Sequence, residues 1–305
     1  MKKVHQFLGI ANPIKGTFGI EIEAEGRNMV PIDSRYWKTE QDGSLRGAFP
    51  DRAAEYVLKK PITLEQVEPA LDELIIAEAN AVFDFSFRTS VHIHVNVQDL
   101  TEDQLITMIY TYLLIEEPMM NYCGRDRKGN RFCLRVVDAD NIVDVLNDAF
   151  INGIDNIMRV DQNAIRYSSI NIGALQKYGS LEFRGMRGNM DKDVLLKWIN
   201  ALGNLKDYAI KAGNPKEVLK HFESVSPDKF LMDVIGAPLF DDFRYPRMTR
   251  EIQRSFSLTI DLPYSFIRSM DKREQAAEVK QKAAVKIDDA IRRVRARAVV
   301  VDDPF

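Results

Sequence analysis

FGIEIEAEGR, Phe18 to Arg27, is the stretch that decides how the chain is read. With the two-residue period of an extended strand, Phe18, Ile20, Ile22 and Ala24 fall on one face and Glu21, Glu23 and Glu25 on the other. Side chains two residues apart on a strand lie roughly 7 Å from one another. Three carboxylates stacked in that way repel unless a cation sits among them. The stretch is therefore either an exposed acidic edge strand or one wall of a cation site. The second fits better, because a merely solvated strand face usually mixes Thr, Ser, Lys and Arg with its acids.

The rest of the composition limits the choices. A chain of 305 residues, 45% hydrophobic and 29% charged, can bury a sizeable core as an ordinary globular protein. A net charge of −3 disfavours nucleic acid as a general partner, although a local basic site is compatible with it. No apolar run approaches the roughly 18 residues of a membrane span, so no membrane partner is expected. The opening MKKVHQFLGIANPIKG is too broken to be a signal peptide. Cys123 and Cys133, the only cysteines, are then expected to be reduced thiols in a cytoplasmic protein. Two cysteines alone cannot make a zinc site.

Downstream, Arg35 to Ser44 reads as a short strand running into an Asp42-Gly43-Ser44 turn. Ala53 to Leu58 reads as a second strand whose one acid is Glu55, and Thr63 can cap a helix from about Leu64 to Asn80. Ser90 to Val97, SVHIHVNV, alternates most clearly, with His92, His94 and Asn96 opposite four β-branched residues. Thr101 and Gln104 resemble a capping box for a helix expected to stop near Glu117, because Pro118 follows. Arg125, Arg127, Lys128, Arg131 and Arg135 crowd one irregular section, either a solvated loop or one that closes over an anion. A helix is expected over Asp140 to Phe150 and strands over Ile165 to Ile172 and Ser180 to Gly185. Asp191 caps a long helix to about Ala212, with Leu195, Trp198, Leu202, Leu205 and Ala209 on one side.

Composition shifts after Gly213, where Pro215, Pro227, Pro238 and Pro246 punctuate short helices before a long charged helix from about Asp271 to Ala298. Its narrow apolar stripe fits packing on the main domain or on another subunit. Arg292, Arg293, Arg295 and Arg297 suit its C-terminal end electrostatically, or a phosphate. Residues 1–213 are thus expected to form the catalytic domain and 214–305 a mainly helical extension. Strands followed by helices imply an α+β sheet with helices on the apolar face. The opposite face carries the ionisable groups.

Three separated strands share that face: Glu21 with Glu23, His92 with His94, and Glu182 with Arg184. Carboxylates with one imidazole suit Mg²⁺ or Mn²⁺ better than zinc. A guanidinium beside metal-binding acids can hold phosphoryl oxygens. There is no glycine-rich phosphate loop, so metals and basic side chains would have to hold a phosphate.

In order, Glu-x-Glu, Asp-Gly-Ser, a further Glu, His-x-His, Arg-Tyr and Glu-Phe-Arg resemble the putative amidoligase family of carboxylate–amine ligases, over about Phe18 to Ala212. That family stands with glutamine synthetase and glutamate–cysteine ligase. The resemblance implies a glutamine-synthetase-like curved, mostly antiparallel sheet with its active site on the polar face. It implies ATP and Mg²⁺ (or Mn²⁺) as cofactors, and a carboxylate and an amine, small molecules or peptides, as substrates. Relatives that form rings make a homo-oligomer compatible with it. By the same resemblance Glu21, Glu23, Glu55, His92 and Glu182 would bind metal. Arg184 and Arg166 would contact the nucleotide's phosphates or the substrate, and Asp42 and Ser44 would border that pocket. His94 would lie deeper or nearer the acceptor. RKGNRFC, Arg127 to Cys133, is only loosely similar to the family's substrate loop. The expected reaction is ATP-dependent amide formation through an acyl phosphate. The rivals are a metal-dependent phosphohydrolase or nucleotidyltransferase, and an inactive binding or assembly protein.

Overall fold

A computed structural model describes residues 2–139, 144–147, 150–151, 165–243, 248–259, 261–272 and the single positions 275, 278, 279, 281, 282 and 285. Its centre is an antiparallel sheet of seven strands: β1 (Phe18–Arg27), β2 (Trp37–Glu40), β3 (Ala53–Leu58), β4 (Val82–Phe83), β5 (Ser90–Asn96), β6 (Ile170–Asn171) and β7 (Ser180–Arg187). The order is β2-β3-β1-β5-β7-β6, with β4 attached to the end of β1. The chain is thus a mixed α/β protein. β1 lies inside the sheet, between β3 and β5, which removes the exposed-edge reading of its acids.

Alternation does what the sequence implies. Ile20, Ile22 and Ala24 of β1, Val91, Ile93 and Val95 of β5, and Leu181 and Phe183 of β7 are all buried on one face. Helices cover it. The main ones are α1 (Val67–Ala77), α2 (Glu102–Cys123) and α3 (Lys192–Ala212). Tyr112 of α2 meets Phe183 edge-on at 4.9 Å, and Trp37 donates its indole N–H to Ala70 O of α1 at 2.6 Å. Thr101 Oγ1 accepts from Gln104 N at the start of α2, and Asp191 accepts from Asp193 N and Val194 N at the start of α3.

Beyond residue 213, α4 (Pro215–Ser224), α5 (Pro227–Ile235) and α6 (Met248–Thr259) make an outer layer. Phe222 stacks on Phe256 at 4.8 Å, Asn204 of α3 donates to Ile235 O at 2.9 Å, and Glu117 N of α2 donates to Ser255 Oγ at 3.4 Å. α2 is therefore buried on nearly every side.

That burial corrects the expected end of α2. The helix passes through Pro118 and ends at Cys123, with Met119, Met120 and Cys123 buried. A proline inside a helix costs about 3 kcal/mol, less than burial of three such side chains at about 1.5–3 kcal/mol for a large one. The strand expected from Ile165 is also shorter: Arg166 and Tyr167 form a turn, and β6 is only Ile170–Asn171. The Arg125–Arg135 section is no simple solvated loop. Arg127 is fully buried and its guanidinium donates to Gly185 O (3.0 Å) and Arg184 O (2.8 Å), while Arg135 pairs with Glu117 and Asp138. The expected helix over Asp140 to Phe150 and the charged helix from Asp271, with its four C-terminal arginines, lie wholly or largely outside the described residues.

Candidate active site

The strand register assembles the polar face. Glu23 stands directly opposite Glu55 across β1 and β3, Glu21 opposite His92 across β1 and β5, and His94 opposite Glu182 across β5 and β7. Gly19 faces His94, where an added Cβ would come within 3.2 Å of the His94 Cβ. The glycine leaves the imidazole its place.

Two groups of potential ligands result. Glu21, His94 and Glu182 each offer an atom within 4.8 Å of the others, and so do Glu23, Asp42 and Glu55. Carboxylates from three strands and one turn, with one imidazole, form a donor set that fits a hard divalent cation such as Mg²⁺ or Mn²⁺.

The first group is internally compensated. Glu21 lies 3.2 Å from His94 Nε2 and 3.3 Å from His92 Nδ1. Burial opposes its ionisation, but these two imidazoles hold its carboxyl far below the usual range. His94 is raised despite burial, by Glu21 and Glu182. Glu182 accepts from Asn171 Nδ2 at 2.6 Å and pairs with Arg184. Against the penalty of burial, Arg184 and His92 keep it ionised. Arg184 in turn donates to Phe132 O at 3.4 Å.

The second group is less fully compensated, its nearest imidazole being His92 Nε2 at 3.9 Å from Glu23. Burial first, and then the charges of Glu21 and Glu23, push the Glu55 carboxyl up to about 8. Like charges directly opposite on neighbouring strands are destabilising, and a cation bound there would supply counter-charge. Ser90 donates to Glu23, and Ser44 N donates to Asp42 Oδ1 at 2.5 Å.

A cleft of about 550 Å³ on this face reaches Glu21, Glu55 and His94. Its outer walls include Ile10, Ile14 and Tyr178, with Lys38 and Lys177 among its cations. A second cleft lies at the other end of β1, where Glu25 and Arg27 meet Arg46, Arg52 and Asp84. Glu25 is buried there and accepts from Arg46 N at 2.6 Å.

Glu21, Glu23, Asp42, Glu55, His92, His94, Glu182 and Arg184 thus lie on or beside one sheet face, while Arg166 stands in the turn before β6. Its guanidinium sits over the Tyr167 ring at 5.5 Å, and among the described residues it makes no ion pair with these acids. The two histidines differ in depth: His92 is 2% exposed and closed in by Ser90, Glu21 and Glu182, whereas His94 lines the cleft. His94 and Asp42 fall in the two groups of potential ligands, and His92 lies beside the first, 3.3 Å from Glu21. Sequence reasoning did not single out Ser90, Ser180 or Asn171. Ser90 shares strand parity with His92 and could have been found that way; Ser180 sits 3.0 Å from His94 Nδ1 through strand pairing alone. Among the described residues no helix is long and apolar enough to cross a membrane.

A family model described as "Putative amidoligase enzyme" matches residues 32–203, more than half of the chain, from just before β2 into α3. The match begins after β1. No curated protein matches the chain.

Proposed function

The chain belongs to the putative amidoligase enzyme family, and from that premise we propose that it is an ATP-dependent carboxylate–amine ligase with a glutamine-synthetase-like catalytic sheet. One observation carries the reading: two three-ligand groups stand side by side on the polar face, and one of them sets Glu23 directly against Glu55. Glu21, His94 and Glu182 would hold one divalent cation and Glu23, Asp42 and Glu55 another. Bound there, the cations would supply the positive charge that a transferring phosphoryl group needs.

The chain's own groups account for the remaining tasks. Ile10, Ile14 and Tyr178 offer apolar surface for a nucleotide base at the outer end of the cleft that reaches His94, with Lys38 and Lys177 positioned for its phosphates. Arg184, fixed by Glu182 and Phe132 O, points its charge at the same acids and would neutralise the γ-phosphoryl group. His92 holds Glu21 and Glu182 in place. A carboxylate substrate would take the phosphoryl group to give an acyl phosphate and ADP. The amine would then displace phosphate, forming the amide bond. Phosphorylation is needed because a carboxylate is a poor electrophile without a leaving group.

The test is ADP release with Mg²⁺ against a panel of carboxylates and amines. A ligase requires both partners and yields an amide; ADP release that ignores the amine would identify a phosphohydrolase instead. No Mg²⁺-dependent nucleotide binding in calorimetry would remove both readings.

A further inference from the structure

The mouth of the site beyond Glu25 is built unlike the nucleotide end. Three loops converge there, the one after β2, the one before β5 and the Arg125–Arg135 section. Across them runs an alternation of cations and rings. Arg46 lies over Phe87 at 5.8 Å, Arg88 over Phe87 at 5.4 Å and over Phe132 at 5.8 Å, and Arg131 over Phe132 at 4.8 Å. Arg88 also donates to Ser44 O at 2.8 Å, and Asn130 donates to Phe87 O at 2.9 Å, so the loops are tied to one another. Ring stacking fixes guanidiniums in place and leaves their N–H edges free.

Apart from the Arg88 bond to Ser44 O, those edges lack acceptors among the described residues. Among the described residues, neither Arg46 nor Arg131 forms an ion pair, and Arg88 Nε is buried with no hydrogen-bond partner. Arg27 and Arg52 extend the positive rim into the second cleft. This concentration of cations on a chain of net charge −3 is local. It borders the candidate acids directly: Ser44 is held by Asp42, and Phe132 O accepts from Arg184.

We propose that this Arg46–Phe87–Arg88–Phe132–Arg131 ladder is a docking surface for an acidic polypeptide that presents its carboxylate or amine to the neighbouring acids. The identification rests on the ligase reading of those acids. Length argues for a polypeptide: a free amino acid cannot reach across two intervening rings, whereas an extended chain offers a side chain on one side every ~7 Å. Ring occupancy argues against nucleic acid. Bases bind single-strand sites by stacking on open aromatic faces, and here each ring already carries two guanidiniums.

The test uses the full chain and fluorescein-labelled deca-L-glutamate, followed by anisotropy at low salt. Binding should weaken as salt rises and fall at least tenfold in the Arg46→Gln/Arg131→Gln double variant. Both side chains are exposed, and an unchanged melting temperature verifies the fold. Arg125→Gln, an exposed arginine on the same section but outside the ladder, should stay within twofold of wild type. Calorimetry of Mg·ATP on the same double variant should match wild type. Equal affinity in the double variant, an equal loss in Arg125→Gln, no binding of the peptide at millimolar concentration, or tighter binding of an oligouridylate of the same charge would each overturn the docking surface. Loss of Mg·ATP binding in wild type with peptide binding intact would overturn the ligase reading alone.

Discussion

The two ligand groups on the polar face differ in how their charge is balanced. Glu21, His94 and Glu182 are surrounded by His92, Arg184 and Asn171, so the group is a closed ion-pair network without any cation. Glu23, Asp42 and Glu55 receive hydrogen bonds from Ser90 and a backbone N–H and one looser approach, His92 Nε2 at 3.9 Å from Glu23, and two of the three face each other across strands. The first is organised by the protein alone. The second is costly until something positive arrives. Cation binding should therefore be felt chiefly at the second group, while removal of a side chain should be felt by the empty protein chiefly at the first.

The largest effects should fall on turnover, where both groups are needed together. Glu23→Gln and Glu182→Gln should each lower Mg²⁺-dependent ADP release by about 10³-fold, since each removes a ligand of a cation that would neutralise the transferring phosphoryl group. A much smaller loss for one of them, measured under saturating nucleotide, would assign catalysis to the other group. Metal-free stability should then separate the two. Glu182→Gln leaves Arg184 without its buried partner, and breaking such a pair costs about 3 kcal/mol or more. Denaturant melts in EDTA should show that loss for Glu182→Gln and none for Glu23→Gln.

Magnesium itself should act in the opposite direction. At a hundred times its dissociation constant a cation that binds only the folded chain adds about 2.7 kcal/mol. Wild type should gain that stability on addition of Mg²⁺. Glu55→Gln should lose most of the gain, because the second group retains two of its three carboxylates.

What the sequence made legible explains why this contrast needed the structure. β1, β5 and β7 could be read from their alternation, since one buried face forces a two-residue period. The apolar stripe of α3 was equally plain. The allocation of ligands was not, because it depends on register: nothing local in AAEYVL places Glu55 against Glu23, and nothing in SVHIHVNV decides which histidine lies deeper. Pro118 misled for a related reason. Local backbone chemistry ended the helix there, and the outer layer from beyond residue 213 carried it on to Cys123. Arg127 looked like a solvated cation because its acceptors are main-chain carbonyls of β7, which leave no trace in side-chain patterns.

The smallest effect is the most direct measure of the second group's strain. With metal removed, Glu55→Gln should stabilise the fold at pH 8, by at least about 1 kcal/mol, the cost of a like-charge cross-strand pair. The sign follows from the two states of the carboxyl. Unfolded, it titrates near 4.5; folded, burial and then Glu21 and Glu23 raise it to about 8. Between those values the folded chain binds more protons than the unfolded one, so wild-type stability falls as pH rises through that range. The variant has no such group, and its advantage should be absent near pH 4, grow through neutrality and level off above pH 8. Urea melts of both proteins in EDTA at pH 4, 6 and 8 would show it. An advantage independent of pH would mean that Glu55 is not strained by its neighbours, and saturating Mg²⁺ should abolish the advantage or reverse it, since the cation then balances the charge that the substitution removes.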